Sequence, residues 1–214
     1  MYKRIWVFRL SLGDSGEPST ECPLDLDRHE IKKYRDEATP IDDDDYPDLD
    51  MDILNDEFFK KGKLRQGWGV EFDGMNLDLN LSKKIWLENY IKLSWRVWGE
   101  KINCEDATGR YNILKLMKDM KAGHIVFIPR IPDDDHFSVA MINRGGYHFQ
   151  MFNGYLGHGH VIEVDKDRIK VFKYGSTSDI ERITFMPYRK AVDEIKSHHL
   201  IYPKIREFIE HHHL

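Results

Sequence analysis

Asp133, Asp134, Asp135 and His136, in the stretch PDDDH, carry oxygen and nitrogen donors of the kind that hold a metal or move a proton. Adjacent residues on a turn point in different directions, however, so consecutive aspartates do not converge readily on one ion. Aspartate is also favoured in turns, where its carboxylate accepts from nearby backbone N–H groups. The stretch joins two apolar runs, HIVFIP and FSVAMI, which read as strands of a hairpin. PDDDH is therefore expected to be the solvated turn of that hairpin, at most on the rim of a site.

The other donor sets are no stronger. His158 and His160 in GHGH would share one side of a strand. A zinc site needs a further ligand, and nothing in the sequence brings His136, His148 or a carboxylate near. Glu163, Asp165 and Lys166 in IEVDK approach the (D/E)-x-K element of metal-dependent nucleases, but with the wrong spacing. The acidic run EATPIDDDDYPDLDMD (37–52) lacks the glycine and glutamate of a calcium loop. Cys104 has no adjacent histidine, and Cys22 and Cys104 lack metal-ligand spacing. There is no phosphate-binding or dinucleotide glycine motif. The sequence makes no positive case for an enzyme, and no cofactor or metal is expected.

What remains is aromatic and basic. Trp68 sits between Gly67 and Gly69, so no neighbouring side chains cover its ring. Trp95 and Trp98 share one helical turn, and Phe152 and Tyr155 fall in the run FNGYLGHG. Arg9, Arg65, Arg130 and Arg144 lie near strand ends or turns. Aromatic faces beside cations suit a flipped or single-stranded base, which stacks on a ring while polar groups read its edge. Trp86 reads as core, and Trp68 is the best exposed candidate.

These residues must be positioned by elements. Residues 3–11 read as a strand with Ile5, Val7 and Leu10 on one face and Trp6 and Phe8 on the other. The 37–52 segment, acidic and without period, reads as a mobile insertion. A glycine-interrupted strand covers 62–72. Helices are expected over 82–99, between Ser82 and Gly99, and over 108–123, between Thr108 and Gly123. Five short strands then follow, HIVFIP, FSVAMI, YHFQMF, HVIEV and RIKVFKY, before terminal helices broken at Pro203. The class is α+β: a mostly antiparallel barrel with flanking helices over residues 1–175, and a helical extension over 176–214.

The whole chain sets the outer bounds. Its 214 residues, 41% hydrophobic and 12% aromatic, suffice for a packed core. No apolar run is long enough for a membrane helix, and the N-terminus does not read as a signal peptide. One long-range disulfide between Cys22 and Cys104 is open in principle, but a reduced, cytoplasmic chain is the simpler expectation. The net charge of -5 is unevenly spread, because residues 1–57 hold 17 Asp/Glu against 7 Lys/Arg. The remainder is net basic and can meet a polyanion.

The arginine-ended first strand WVFRLSLG, the GWG strand and the helix running into GHIVFIP and FSVAMI resemble the PUA-like superfamily. They are most similar to EVE-type and related N-terminal domains of modification-dependent restriction and antiviral systems. The resemblance covers roughly residues 1–11 and 62–175. It implies a pseudo-barrel whose pocket accepts a modified or flipped base, with Trp68 in that pocket and Arg9 as its polar neighbour. His124 stands where such domains carry aspartate. The expectation is thus a nucleic-acid-binding module, for DNA before RNA. Its effector, a nuclease or an NTPase, would be a separate subunit or lie beyond Leu214. Two alternatives stay open: a protein-interaction subunit using the acidic segment, and a metal-dependent nuclease around Asp135, Glu163 and Lys166.

Overall fold

Alternating burial builds the centre of the molecule. The computed structural model describes residues 4–10, 49–100, 102–152, 155, 157–175 and 179–214. Strand β1 (Ile5–Phe8) is buried on both faces. Trp6 and Phe8 enter one core, while Ile5 and Val7 enter a second. Strands β5 (Ile125–Pro129) and β6 (His136–Phe149) divide the same way: Val126, Ile128 and Ala140 face the first core, Phe127, Phe137 and Val139 the second. Period-2 apolar runs with both faces apolar belong to a sheet covered on both sides. Leu10 joins the Trp6 side, not the Ile5 side as expected, because extended backbone sends positions 6, 8 and 10 to one face.

The sheet runs β2-β7-β6-β5-β1-β9, with β8 also paired to β6. Here β2 is Lys63–Gln66, β7 is His160–Val164, β8 is Lys170–Lys173 and β9 is Val192–Ile195. Strands β1 and β5 are parallel, and every other pair in this sheet is antiparallel. A separate hairpin pairs β3 (Glu71–Phe72) with β4 (Met75–Asn76). Four α-helices are found among the described residues: α1 (Met51–Lys61), α2 (Lys83–Trp98), α3 (Cys104–Leu114) and α4 (Tyr202–His211). The class is α+β with a mixed, mostly antiparallel sheet.

FSVAMI and the first half of YHFQMF, expected as two strands, form the single 14-residue β6, and residues 150–152 lie beyond its end. Its register shifts between Ile142 and Tyr147, where Gly146 takes φ +60°. Such a bulge bends the strand, so its first half pairs with β5 and β8 and its second half with β7. The sheet curls but does not close: no strand pairing joins its end strands, β2 and β9, among the described residues, and β2 is not paired to β1. A side-chain bond links the latter two, from Gln66 Nε2 to the Arg9 carbonyl at 2.8 Å.

Helix α2 keeps its expected ends, with the Ser82 side chain accepting from the Ile85 N–H and Gly99 closing in the left-handed conformation. Several other expectations are corrected. Helix α3 begins at Cys104 because Asn103, not Thr108, caps it, and Thr108 is buried inside. Helix α1 occupies residues assigned to a mobile insertion and its flank, capped by Asp50 and closed by Gly62. The rest of the acidic run, to position 48, lies outside the described residues. Residues 176–214 are not purely helical: Val192–Ile195 pairs with β1 as a sheet strand, and Pro203 starts α4 instead of breaking a helix. Cys104 is disulfide-bonded, not the free thiol expected of a reduced chain. No helix among the described residues is long and apolar enough to cross a membrane.

Candidate functional site

Trp68 follows β2 in a loop held by close backbone approach. The Gly159 N–H donates to the Gly69 carbonyl at 2.8 Å. A Cβ at Gly69 would stand 2.5 Å from the His160 nitrogen, so only glycine fits there. Trp68 itself has φ +59°, a left-handed conformation that costs a bulky residue energy. Its ring is half-buried, with the Arg110 guanidinium 5.0 Å from the ring centroid. Arg110 also donates to the Tyr90 hydroxyl, and Tyr90 lies 6.0 Å from Trp98. Trp68, Arg110, Tyr90 and Trp98 thus form one continuous cluster of rings and cation. Trp95 lies one turn before Trp98 on α2 and is half-buried.

Arg9 reaches the same end of the sheet. Its carbonyl is tied to Gln66, two residues before Trp68. Its guanidinium donates to the Tyr188 and Phe185 carbonyls, the latter at 2.7 Å. Burial, and then the neighbouring charge of Arg130, hold Arg9 below the usual arginine range. Arg130 follows β5, the parallel neighbour of β1, and is exposed with φ +60°. Its N–H donates to the Tyr174 hydroxyl at 3.3 Å. Arg9 and Arg130, set far apart in sequence, therefore come together around Tyr174 and Tyr188 on the second-core side, whereas Trp68 packs against the first core.

The remaining candidates divide. Arg65 is only 3% exposed and is paired with buried Glu57 at 2.8 Å. It also donates to the Gln150 and His158 carbonyls. A guanidinium so engaged is a structural tie, which corrects its reading as a nucleic-acid contact. Phe152 stacks on it with the guanidinium carbon 4.3 Å from the ring centroid, and Tyr155 lies 4.8 Å from Phe152. Both rings are half-buried. Arg144 is exposed at the β6 bulge, away from the Arg9–Trp68 end of the sheet.

The PDDDH stretch is the β5–β6 turn. Asp133 accepts from the Asp135 N–H at 2.9 Å and pairs with His136 at 2.7 Å. The His136 hydrogen bond, and then the Asp135 N–H, hold Asp133 below the usual carboxylate range. His158 and His160 do not pair as ligands. His158 is left-handed before the strand, while His160 is fully buried, with Nδ1 3.2 Å from the Tyr147 hydroxyl. Burial pushes His160 down to about 3 and pushes Tyr147 above the usual tyrosine value. Asp135 precedes β6, while Glu163 flanks Val164, the partner of Ile142. At about 3.3 Å per residue that separates the two carboxylates by roughly 20 Å, too far for one metal. Among the described residues no group of three His, Cys, Asp or Glu could hold a metal ion.

Gln66, Tyr90 and Arg110 escaped the sequence reading. Arg110 had a signal: it falls at helical spacing between Ala107 and Leu114, both core residues, so a charge there needs partners. Compared with family models, curated proteins and solved structures, the chain matches none.

Proposed function

We propose that the curled sheet is a PUA-like pseudo-barrel and that the chain is a nucleic-acid-binding module that reads a modified or flipped base. The observation that carries this reading is the Trp68 loop: a half-buried tryptophan in a left-handed conformation, backed by the Arg110 guanidinium, two residues after the Gln66 tie to the Arg9 carbonyl. Strained residues are retained where the surrounding structure gains from their placement, and recognition is a common gain. The indole supplies a stacking face, and exposed arginines supply phosphate contacts. In a defence system such a module would direct an effector to modified DNA.

Fluorescence polarisation tests this with matched DNA duplexes, plain or carrying methylated or hydroxymethylated cytosine or methylated adenine, at two salt concentrations. Preference for one modified duplex that survives higher salt is the expected result, since phosphate attraction alone is screened. Trp68→Ala should erase the preference while leaving weak general binding. Equal loss on modified and plain duplexes, or no preference in the parent chain, would remove the reader function.

A further inference from the structure

We infer that Arg130 and Arg182 form a phosphate-binding site that Asp134 occupies from within the chain. One oxygen of Asp134 lies 3.2 Å from Arg182 Nη2 and 3.7 Å from Arg130 Nε. A single carboxylate oxygen bridging two guanidiniums stands where an oxygen of a phosphoryl group would stand. All three side chains are about half exposed or more, at 49% for Arg182, 57% for Arg130 and 68% for Asp134. An external anion can therefore reach the arginines, and the carboxylate can swing away into water.

Two observations set this apart from a chance surface pair. Arg130 is left-handed, a conformation that glycine would adopt without cost, yet an arginine stands there with its N–H on Tyr174. Arg9 stands behind, half-buried, its guanidinium fixed on the carbonyls of Tyr188 and of Phe185, which shares the 3-10 turn Arg182–Phe185 with Arg182. The charges of Arg9, Arg130 and Arg182 all fall on the Tyr174 phenol. Exchanging one internal carboxylate for a doubly charged phosphoryl group improves the match to this concentration of positive charge. The ligand class is a phosphate ester or diphosphate. A strand phosphate, a singly charged diester, would replace the carboxylate charge for charge, and that source rests on the proposed nucleic-acid reading.

The test measures inorganic pyrophosphate by calorimetry and a short single-stranded oligonucleotide by polarisation. It uses the parent chain, Arg130→Gln, Arg182→Gln, Asp134→Asn and Asp135→Asn. Each arginine variant should weaken pyrophosphate about tenfold, and Asp134→Asn should tighten it by a similar factor. Asp135 bridges neither arginine, so Asp135→Asn removes the same charge with a smaller gain. Unchanged affinity in both arginine variants, or equal gains from the two asparagine variants, would overturn the site. If pyrophosphate follows this order while the oligonucleotide does not bind, the site stands for a free phosphate ligand and the nucleic-acid function fails. If pyrophosphate and the oligonucleotide both bind all variants alike, the site fails and the Trp68 reading is untouched.

Discussion

Arg65 and Arg130 differ in what surrounds them, one buried against a carboxylate and the other exposed. Arg65 meets Glu57 with both side chains only 4% exposed. Removing one partner of such a pair leaves a buried charge alone, so Arg65→Ala should cost about 3–5 kcal/mol in urea unfolding. His160 makes a pH prediction. Its folded value of about 3 lies below the ordinary histidine value of about 6.5, because burial disfavours the charged ring. Between these values the unfolded chain binds more protons than the folded one, so stability falls as pH drops through this window. The full loss is of the order of 5 kcal/mol, and unfolding midpoints across that range should fall steeply in the parent chain. A His160→Gln variant should show a flatter slope. An equal slope would place the titration elsewhere.

Element by element, the sequence was readable where local signals agreed with the fold. Helix α2 has an N-cap, a buried stripe and a glycine stop, and the PDDDH turn has its aspartates. Strand β9 was not readable, because VDEI carries two acids and lies in a stretch with helical period. It is a strand through distant partners: its ladder to β1, and Glu194 held by Arg4 across the pair at 2.7 Å. Charges on an edge strand are how sheets avoid further pairing, so the same residues that hide it from a pattern suit its position. Helix α1 had both its caps in the sequence, but the acidic run beside it obscured them. Asp50→Ala should therefore cost about 1 kcal/mol by thermal unfolding, where a mobile segment would cost nothing. The candidate site was legible in part. Trp68 stood out through its glycines, but the Arg110 beneath it and the approach of Arg9 to Arg130 depend on contacts between distant elements.

For the molecule as a whole, the sheet separates two cores, and each needs its cover. Ile205, Phe208 and Ile209 of α4 close the second core over Phe127 and Phe137. At about 1.5–3 kcal/mol per buried side chain, the three together rival the roughly 5–15 kcal/mol that stabilises a domain. Ending the chain after Ile201 should therefore unfold the protein, seen as loss of a cooperative thermal transition. A folded, truncated chain would show that residues 202–214 are a removable appendage.

Trp68, Arg130 and His158 are non-glycine residues in the left-handed region. Each costs about 1–2 kcal/mol that glycine would not, a penalty softened for histidine. Stability and the proposed recognition therefore pull Trp68 and Arg130 in opposite directions. In a library randomised at the three positions and sorted for heat resistance alone, glycine should accumulate at 68 and 130. The winners would be hardier proteins with blunted recognition, and sorting the same library for ligand capture should bring tryptophan and arginine back.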